Sequence, residues 1–252
     1  MNVGKEHYKM EKSNRTFLTY LFFFSCLVST TQLYSQSDTT ISVDRILEKY
    51  IAALGGKDVI LKLTSRVRKG VVEIPGINGL GTVERYQKAP NKLMSIQQIP
   101  GYGVIQTIFD GTTGWYQRPE IPIQQPEGSW LADLKNQADF YWPLRLKQIF
   151  SSMLFEGIEK IDNFDTYVVK AIPHEGSTEK LYFDSRSGLL IRQDIIPRGG
   201  VDTVTIRLED YREEDGVKLP FVIRETNLIV KYTAVKHNAQ IDDSIFEKKI
   251  SK

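Results

Sequence analysis

The first pattern of hydrophobic and polar positions is helical. Apolar side chains recur every three or four residues, at Val43, Ile46, Leu47, Tyr50, Ile51 and Leu54. Ser42 precedes them as a residue that can cap a helix, and Gly55-Gly56 follows as a stop signal. We therefore predict one amphipathic helix over residues 43–54.

From residue 64 onward the period changes to two, which is typical of half-buried β-strands. Alternation is clearest over 203–209 and 217–224, and similar runs lie near 66–74, 80–87, 92–99, 103–109, 164–172, 179–184, 189–195 and 228–236. Turn dipeptides separate many of these runs, namely Asn78-Gly79, Asp110-Gly111, Ser187-Gly188, Gly199-Gly200 and Asp215-Gly216. About ten or eleven short strands joined by tight turns predict a single curved antiparallel sheet.

One segment interrupts this alternation. Residues 119–128 contain Pro119, Pro122 and Pro126, which predict an exposed loop. Residues 131–142 then follow a helical pattern, and another turn of helix is expected from Pro143 to Phe150. With no repeat, low-complexity tract or linker, we predict one mainly β domain over residues 36–252, covered by the N-terminal helix and this internal helical segment.

The N-terminal segment, residues 1–35, predicts export from the cytoplasm. A basic stretch ends at Arg15, an apolar run of about a dozen residues follows from Phe17 to Val28, and small and polar residues come next. This is the layout of a secretory signal, and the run is short for a membrane span of about 20 residues. We place cleavage at Ser35–Gln36. In the alternative interpretation Cys26 is lipidated and anchors the protein to a membrane.

Removing the signal segment changes the charge of the protein. Of 33 basic and 31 acidic residues, residues 1–35 hold four and two, so the remainder carries 29 of each. Cys26, the single cysteine, is removed as well. A neutral, cysteine-free body argues against nucleic acid as a partner and excludes disulfides and cysteine-ligated metal.

The sequence shows no arrangement that would support catalysis. No nucleophile elbow, phosphate-binding loop or zinc-protease helix occurs, and the acidic pairs lack calcium-loop spacing. His174 and His237 are expected on the surface at loop edges. We predict no metal, no cofactor and no enzyme activity, although a carboxylate converging on either histidine would favour an enzyme.

Aromatic residues carry more information than the polar ones. Rings cluster in and around the internal helical segment and after the Asp110-Gly111 turn. Most such rings belong to ordinary cores, but a curved sheet that its own side chains do not fill can hold an apolar ligand. The residues we expect near such a ligand are Trp115, Trp130, Tyr141, Trp142 and Leu144.

Four segments resemble the LolA/LolB-type outer-membrane lipoprotein carriers. They are the Gly81–Leu93 stretch with its Tyr-Gln-Lys-Ala-Pro-Asn-Lys core, Phe109-Asp-Gly to Pro119, Leu181-Tyr-Phe-Asp to Asp194, and the terminal Ile241-Asp-Asp-Ser-Ile-Phe. Their order and spacing agree with the family over about residues 42–248. The resemblance implies an unclosed β-barrel with a helical lid, whose apolar interior receives lipoprotein acyl chains between the two membranes of a Gram-negative envelope.

One departure from the family concerns its lid. The carriers place an arginine immediately before the Pro-Asn pair, where it bonds to the lid and couples opening to cargo, but this sequence has Ala89. Arg85 and Lys88 are charged neighbours, and strand alternation puts Lys88 on the opposite face from residue 89. The resemblance therefore implies the fold of these carriers, and it does not imply their arginine contact with the lid.

These observations favour a periplasmic, non-enzymatic carrier or binding protein. Its partners would be lipids or lipoprotein acyl chains, and envelope transport proteins are further candidates. We expect a monomer. The alternative is an envelope scaffold protein that keeps the sheet but fills its interior with side chains and binds no lipid.

Overall fold

The structure is a computed structural model that describes residues 41–76, 79–198 and 202–247. The predicted signal segment, Cys26, Asn78 and the Gly199-Gly200 turn lie outside the described residues.

The predicted helices and strands are present in the predicted order. The structure adds a short helix over Lys57–Leu61 and strands over Gly114–Arg118, Ile121–Gln124 and Phe150–Ile161, which the periodicities did not predict. The helices are α1 (Val43–Ala53), α2 (Lys57–Leu61), α3 (Gly128–Ala138) and α4 (Trp142–Ile149), and a 3-10 turn covers Asp243–Phe246. The strands are β1 (Ser65–Glu73), β2 (Gly81–Lys88), β3 (Lys92–Ile99), β4 (Gly103–Phe109), β5 (Gly114–Arg118), β6 (Ile121–Gln124), β7 (Phe150–Ile161), β8 (Phe164–Pro173), β9 (Thr178–Asp184), β10 (Leu190–Ile196), β11 (Val204–Glu214), β12 (Val217–Glu225) and β13 (Leu228–His237).

All the strands of the described ranges form one antiparallel sheet. The order is β6-β5-β4-β3-β2-β1-β13-β12-β11-β10-β9-β8-β7. The first and last strands pair at the centre, where Arg66 stands opposite His237 and Val72 opposite Val230. The outermost strands, β6 and β7, do not pair with each other, so the sheet stays unclosed as predicted.

The predicted loop over 119–128 is partly wrong. Residues Ile121–Gln124 form the edge strand β6, in which Pro122 sits. A proline has no N–H to donate, so an edge strand with one free side is where a sheet tolerates it. The three prolines predicted irregular structure throughout, but irregular structure occurs only on either side of this short strand.

Strand β7 was not predicted, because the helical segment was expected to run into Phe150. Its twelve residues make only one strand pairing, with β8, and most of its side chains are exposed. A bulge near Gly157 further interrupts the alternation. An edge strand buries little on either face, so its sequence carries a weak period-two signal.

The internal helical segment consists of two helices, and the first ends four residues before its predicted boundary at residue 142. Helix α3 ends at Ala138, and the Asp139 carboxylate accepts a hydrogen bond from the Tyr141 amide at 3.0 Å. The same carboxylate forms an ion pair with Arg145 of α4 at 2.7 Å. Pro143 lies in the first turn of α4, where its missing N–H costs nothing.

The main hydrophobic core lies between one face of the sheet and the helices. Ile46, Leu47 and Tyr50 of the predicted first helix are buried there, and the Ser42 hydroxyl caps that helix by accepting from the Arg45 amide. Gly55 ends it at a φ of 115°, where a Cβ would stand 2.1 Å from the Gly216 carbonyl oxygen. Only glycine fits this close approach.

Candidate functional site, a cavity between the sheet and the helices

A cavity of about 540 Å³ lies between the sheet and the helices. One wall is apolar and is built from β10, β11 and β12. Its side chains include Leu190, Ile206, Leu208, Leu219 and Ile223. Leu208 and Ile223 stand directly opposite each other in the strand register, so they face the cavity together.

The helices supply the opposite side of the lining. The contributing residues are Tyr50 of α1, Leu54 just after α1, Trp130 and Gln137 of α3, and Trp142 of α4. Two hydrogen bonds join the segment between α3 and α4 to the β2–β3 turn and to the chain just before β1. The Phe140 amide donates to the Pro90 carbonyl at 2.9 Å, and the Tyr141 hydroxyl donates to the Leu63 carbonyl at 2.9 Å.

Three arginines form a second, charged wall on β1 and β2. We call Arg66, Arg68 and Arg85 the arginine cluster, and all three line the cavity. Arg66 and Arg68 are two residues apart on β1, and Arg68 stands directly opposite Arg85 of β2. Because strand side chains alternate, this register places the three side chains on one face of the sheet.

The arginine cluster contacts neutral acceptors and aromatic rings. Arg68 donates to the Gln87 side-chain oxygen at 3.4 Å, and Arg85 donates to the Gln137 carbonyl of α3 at 3.3 Å. The Arg68 guanidinium carbon lies 4.6 Å from the centre of the Tyr232 ring. Arg85 thus joins strand β2 to helix α3.

Burial weakens the charged state of two members of the cluster. It lowers the pKa of Arg66 to about 9, with the charges of Arg68 and Arg85 lowering it further. It lowers the pKa of Arg85 to about 10, and the charge of Arg68 adds to the effect. Both shifts show that these guanidinium groups are poorly compensated.

Four carboxylates also line the cavity, and three of them have hydrogen-bond or ion-pair partners of their own. Asp133 accepts from the Ser177 amide and hydroxyl at 2.9 and 2.7 Å, and Asp139 pairs with Arg145. Glu179 accepts from the Gln193 side chain at 2.7 Å, and burial raises its pKa to about 7. Burial also raises the pKa of Glu225, although the charge of Arg85 opposes that shift.

The five aromatic and apolar residues expected near a ligand are not all in one place. Trp130 and Trp142 line the cavity. Trp115 lies on β5 opposite Ile108, Tyr141 packs beside Phe140, and Leu144 packs against the main core, and none of these three is part of the lining. Their assignment as ligand contacts stays a prediction that binding data must test.

Sequence reasoning missed the arginine cluster and Glu179. A signal was present, because Arg66 and Arg68 alternate with Val67 and share a strand face with Val72, which is buried. Two charges on the core face of a strand are uncommon without a function. The partnership with Arg85 depends on the β1–β2 register, which the sequence pattern does not specify to the residue.

His237 was expected on the surface, and this prediction is wrong. It is buried, and burial lowers its pKa, with the charge of Arg66 contributing. Its Nδ1 lies 3.2 Å from an Asp215 carboxylate oxygen, and its Nε2 accepts from Arg66 Nε at 3.0 Å. An aspartate–histidine pair of this kind would need a free Nε2 to activate a nucleophile, and Arg66 occupies that nitrogen.

Two features are absent from the described residues. No group of three His, Cys, Asp or Glu side chains is placed to hold a metal ion within this part of the chain. None of the helices in the described ranges is long and apolar enough to cross a membrane.

The fold is LolA-like. It is similar to a LolA superfamily protein from Nitrosomonas europaea, with a TM-score of 0.55 and 16% identity over 82% of this chain and 98% of that one. It is also similar to a DUF1329 family protein from Desulfovibrio piger, with a TM-score of 0.55 and 13% identity over 81% of this chain and 97% of that one. A third similar structure is an outer membrane lipoprotein-sorting protein domain from Vibrio parahaemolyticus. Its TM-score is 0.52, with 9% identity over 79% of this chain and 97% of that one. No protein-family model and no curated protein matches the sequence.

Proposed function

We propose that this protein is an exported, non-enzymatic carrier that buries acyl chains of lipids or lipoproteins in its cavity. The observation that carries the proposal is the cavity of about 540 Å³ with an apolar wall on β10–β12. Pockets for small molecules commonly span about 300–1,000 Å³ and are lined mainly by apolar side chains. The fold similarity to a domain assigned to outer membrane lipoprotein sorting supports the class of cargo.

Apolar burial supplies the driving force for such binding. Each CH₂ group that leaves water for an apolar environment contributes about 0.8 kcal/mol. A long acyl chain in the cavity therefore gains enough free energy to offset the cost of ordering it. Bound between β10–β12 and the helices, the chain would remain shielded from water while the protein crosses an aqueous compartment.

Two substitutions on β12 test the proposal with a matched control. Ile223 lines the cavity, whereas its neighbour Val222 faces the other side of the same strand. Ile223→Trp fills cavity volume, so it should weaken binding of a fluorescent fatty acid by about tenfold or more, because space for several CH₂ groups is lost. Val222→Trp adds the same ring outside the cavity and should change binding by less than about twofold.

Thermal unfolding of both variants checks that the comparison is between folded proteins. Equal binding by wild type, Ile223→Trp and Val222→Trp would show that the ligand lies elsewhere. No binding of any acyl compound by the folded wild type would favour the scaffold alternative, in which the interior holds no cargo.

Location in the envelope is part of the same proposal. It depends on residues 1–35, which lie outside the described residues, and the fold similarity to envelope proteins supports it. Fractionation of cells that express the full chain should recover the protein from the periplasm. Labelling with a palmitate analogue that disappears in Cys26→Ser would instead establish the lipidated, membrane-anchored form.

A further inference from the structure

The arginine cluster has no acidic partner in the structure. Within the described residues, no carboxylate forms an ion pair with Arg66, Arg68 or Arg85. The hydrogen bonds these side chains make go to an imidazole nitrogen, an amide oxygen and a backbone carbonyl, all of them neutral acceptors. A buried guanidinium normally meets a carboxylate or a phosphate.

Some donors of the cluster have no partner at all. The Nε atoms of Arg68 and Arg85 are buried and make no hydrogen bond. Arg68 as a whole is only 8% exposed, so little of its side chain meets the bulk solvent. Unsatisfied buried donors are rare in folded proteins and are costly where they occur.

The arrangement also brings like charges together. Arg68 and Arg85 stand directly opposite one another on neighbouring strands, a position where two positive charges repel. The Tyr232 and Phe140 rings lie 4.6 and 5.2 Å from the guanidinium carbons of Arg68 and Arg66. Such contacts hold the planes of the guanidinium groups without neutralising their charge.

Glu225 is the one cavity carboxylate that could compete for this position. Its charge raises the pKa of Arg85, yet no hydrogen bond or ion pair joins the two side chains. Burial raises the pKa of Glu225 itself, which disfavours its ionised form. Glu225 therefore moderates the positive potential of the cluster and leaves the guanidinium donors free.

We infer that the arginine cluster binds the anionic head group of an amphiphile whose acyl chain occupies the apolar wall of the cavity. The head group would be an oxyanion, either a carboxylate or a phosphate, since both match the planar guanidinium fork. This inference rests on the proposed carrier function. It adds the class of ligand, namely amphiphiles with an anionic head group. A cavity that binds by apolar burial alone would not bind an acid more tightly than its ester.

The test compares palmitate with methyl palmitate, which has the same chain and no charge. Wild-type protein should bind palmitate at least about tenfold more tightly, because charge-assisted hydrogen bonds are lost with the ester. Arg68→Gln should remove most of this preference by weakening palmitate binding while leaving ester binding within about twofold. Lysophosphatidic acid against a monoacylglycerol repeats the comparison for phosphate, and the acid with the larger preference identifies the head group.

Arg224→Gln is the matched control. It removes the same charge from β12, where Arg224 is exposed and pairs with Glu209 at 3.2 Å. This variant should keep the preference of the wild type for the acid. Arg85→Gln provides a second cluster variant should Arg68→Gln fail to fold, and it should lose the preference in the same way. Glu225→Gln should strengthen palmitate binding by removing the nearby negative charge.

The outcomes separate this inference from the proposed function. Equal binding of acid and ester by wild type, with both blocked by Ile223→Trp, would overturn the head-group site and leave the carrier function standing. A preference for the acid that survives in both Arg68→Gln and Arg85→Gln would also overturn it. No binding of acid or ester would overturn both proposals.

Discussion

Two pairs of arginines stand directly opposite each other on neighbouring strands of this sheet, and they differ in what surrounds them. Arg207 faces Arg224 across β11 and β12, and Arg68 faces Arg85 across β1 and β2. In the first pair, Arg207 bonds to Asp162 and Arg224 to Glu209, and their side chains are 37% and 43% exposed. The second pair lines the cavity with no carboxylate bound. The comparison indicates that the sheet tolerates like charges where acids or solvent compensate them, and within the described part of the chain no acid pairs with the cavity arginines.

The carboxylates of the two regions differ in the same way. Asp194, beside Arg192, keeps a lowered pKa, because hydrogen bonds from Arg192 and Thr205 outweigh the effect of burial. Glu179 in the cavity has only the Gln193 amide as a partner, and burial raises its pKa to about 7. The cavity therefore contains ionisable groups of both signs, the arginine cluster and Glu179, that form no ion pair among the described residues.

The largest predicted effect concerns Glu179 and pH. Between the ordinary pKa near 4.5 and about 7, the folded protein binds more protons at this site than the unfolded chain does, so stability falls as pH rises. Glu179→Gln removes this dependence and keeps the hydrogen bond from Gln193. Relative to wild type, the variant should gain about 2 to 3 kcal/mol of unfolding free energy between about pH 5 and pH 8.

Denaturant titrations at the two pH values measure this gain. Asp194→Asn is the comparison variant, and its effect on stability should depend on pH in the opposite direction. Its carboxylate has a lowered pKa in the folded state, so it stabilises the protein above its ordinary pKa, and that contribution is lost as pH falls. A Glu179→Gln effect that is the same at both pH values would mean that this glutamate is compensated after all.

A smaller effect separates the two arginine pairs directly. Arg68→Met keeps the apolar stem against Tyr232 and removes an uncompensated buried charge, so the ligand-free protein should become more stable by about 1–2 kcal/mol. Arg224→Met removes an exposed, paired charge and should change stability by less than about 0.5 kcal/mol. Urea unfolding of ligand-free protein gives both values. Destabilisation by Arg68→Met would show that this arginine is a structural group and not an unoccupied donor.

The smallest effect tests whether solvent substitutes for an acid in the outer pair. Asp162→Asn removes the carboxylate that holds Arg207, and both side chains are substantially exposed. Water should solvate the freed guanidinium, so we expect a loss below about 0.5 kcal/mol in urea unfolding. A loss above about 2 kcal/mol would show that the outer arginines depend on their acids, and the contrast with the cavity pair would need another explanation.

Much of the fold could be predicted from the sequence because most of it follows from periodicity. Helix α1 ends within a residue of its predicted boundary, since Ser42 and Gly55 act locally. The central strands alternate because one face is buried. The edge strands β6 and β7 were missed for the opposite reason, as strands with one neighbour bury little and need no regular pattern.

The candidate site was harder to predict, because it depends on which strands face each other. Hydrophobicity identifies Trp115 and Trp130 equally as large apolar residues, and only the packing places Trp130 at the cavity and Trp115 on the far part of the sheet. The arginines of β1 carry a signal in their spacing. They are recognised as a possible binding site only once the β1–β2 register places Arg85 opposite Arg68 and no carboxylate among the described residues pairs with them.

The most direct test of the central claim is native mass spectrometry of the protein with palmitate and methyl palmitate. We predict one palmitate bound to wild type and to Val222→Trp, a much smaller bound fraction for Ile223→Trp, and a bound fraction of the ester far below that of the acid. Equal occupancy of all three proteins, or equal occupancy by acid and ester, would contradict the claim that this cavity holds an anionic amphiphile.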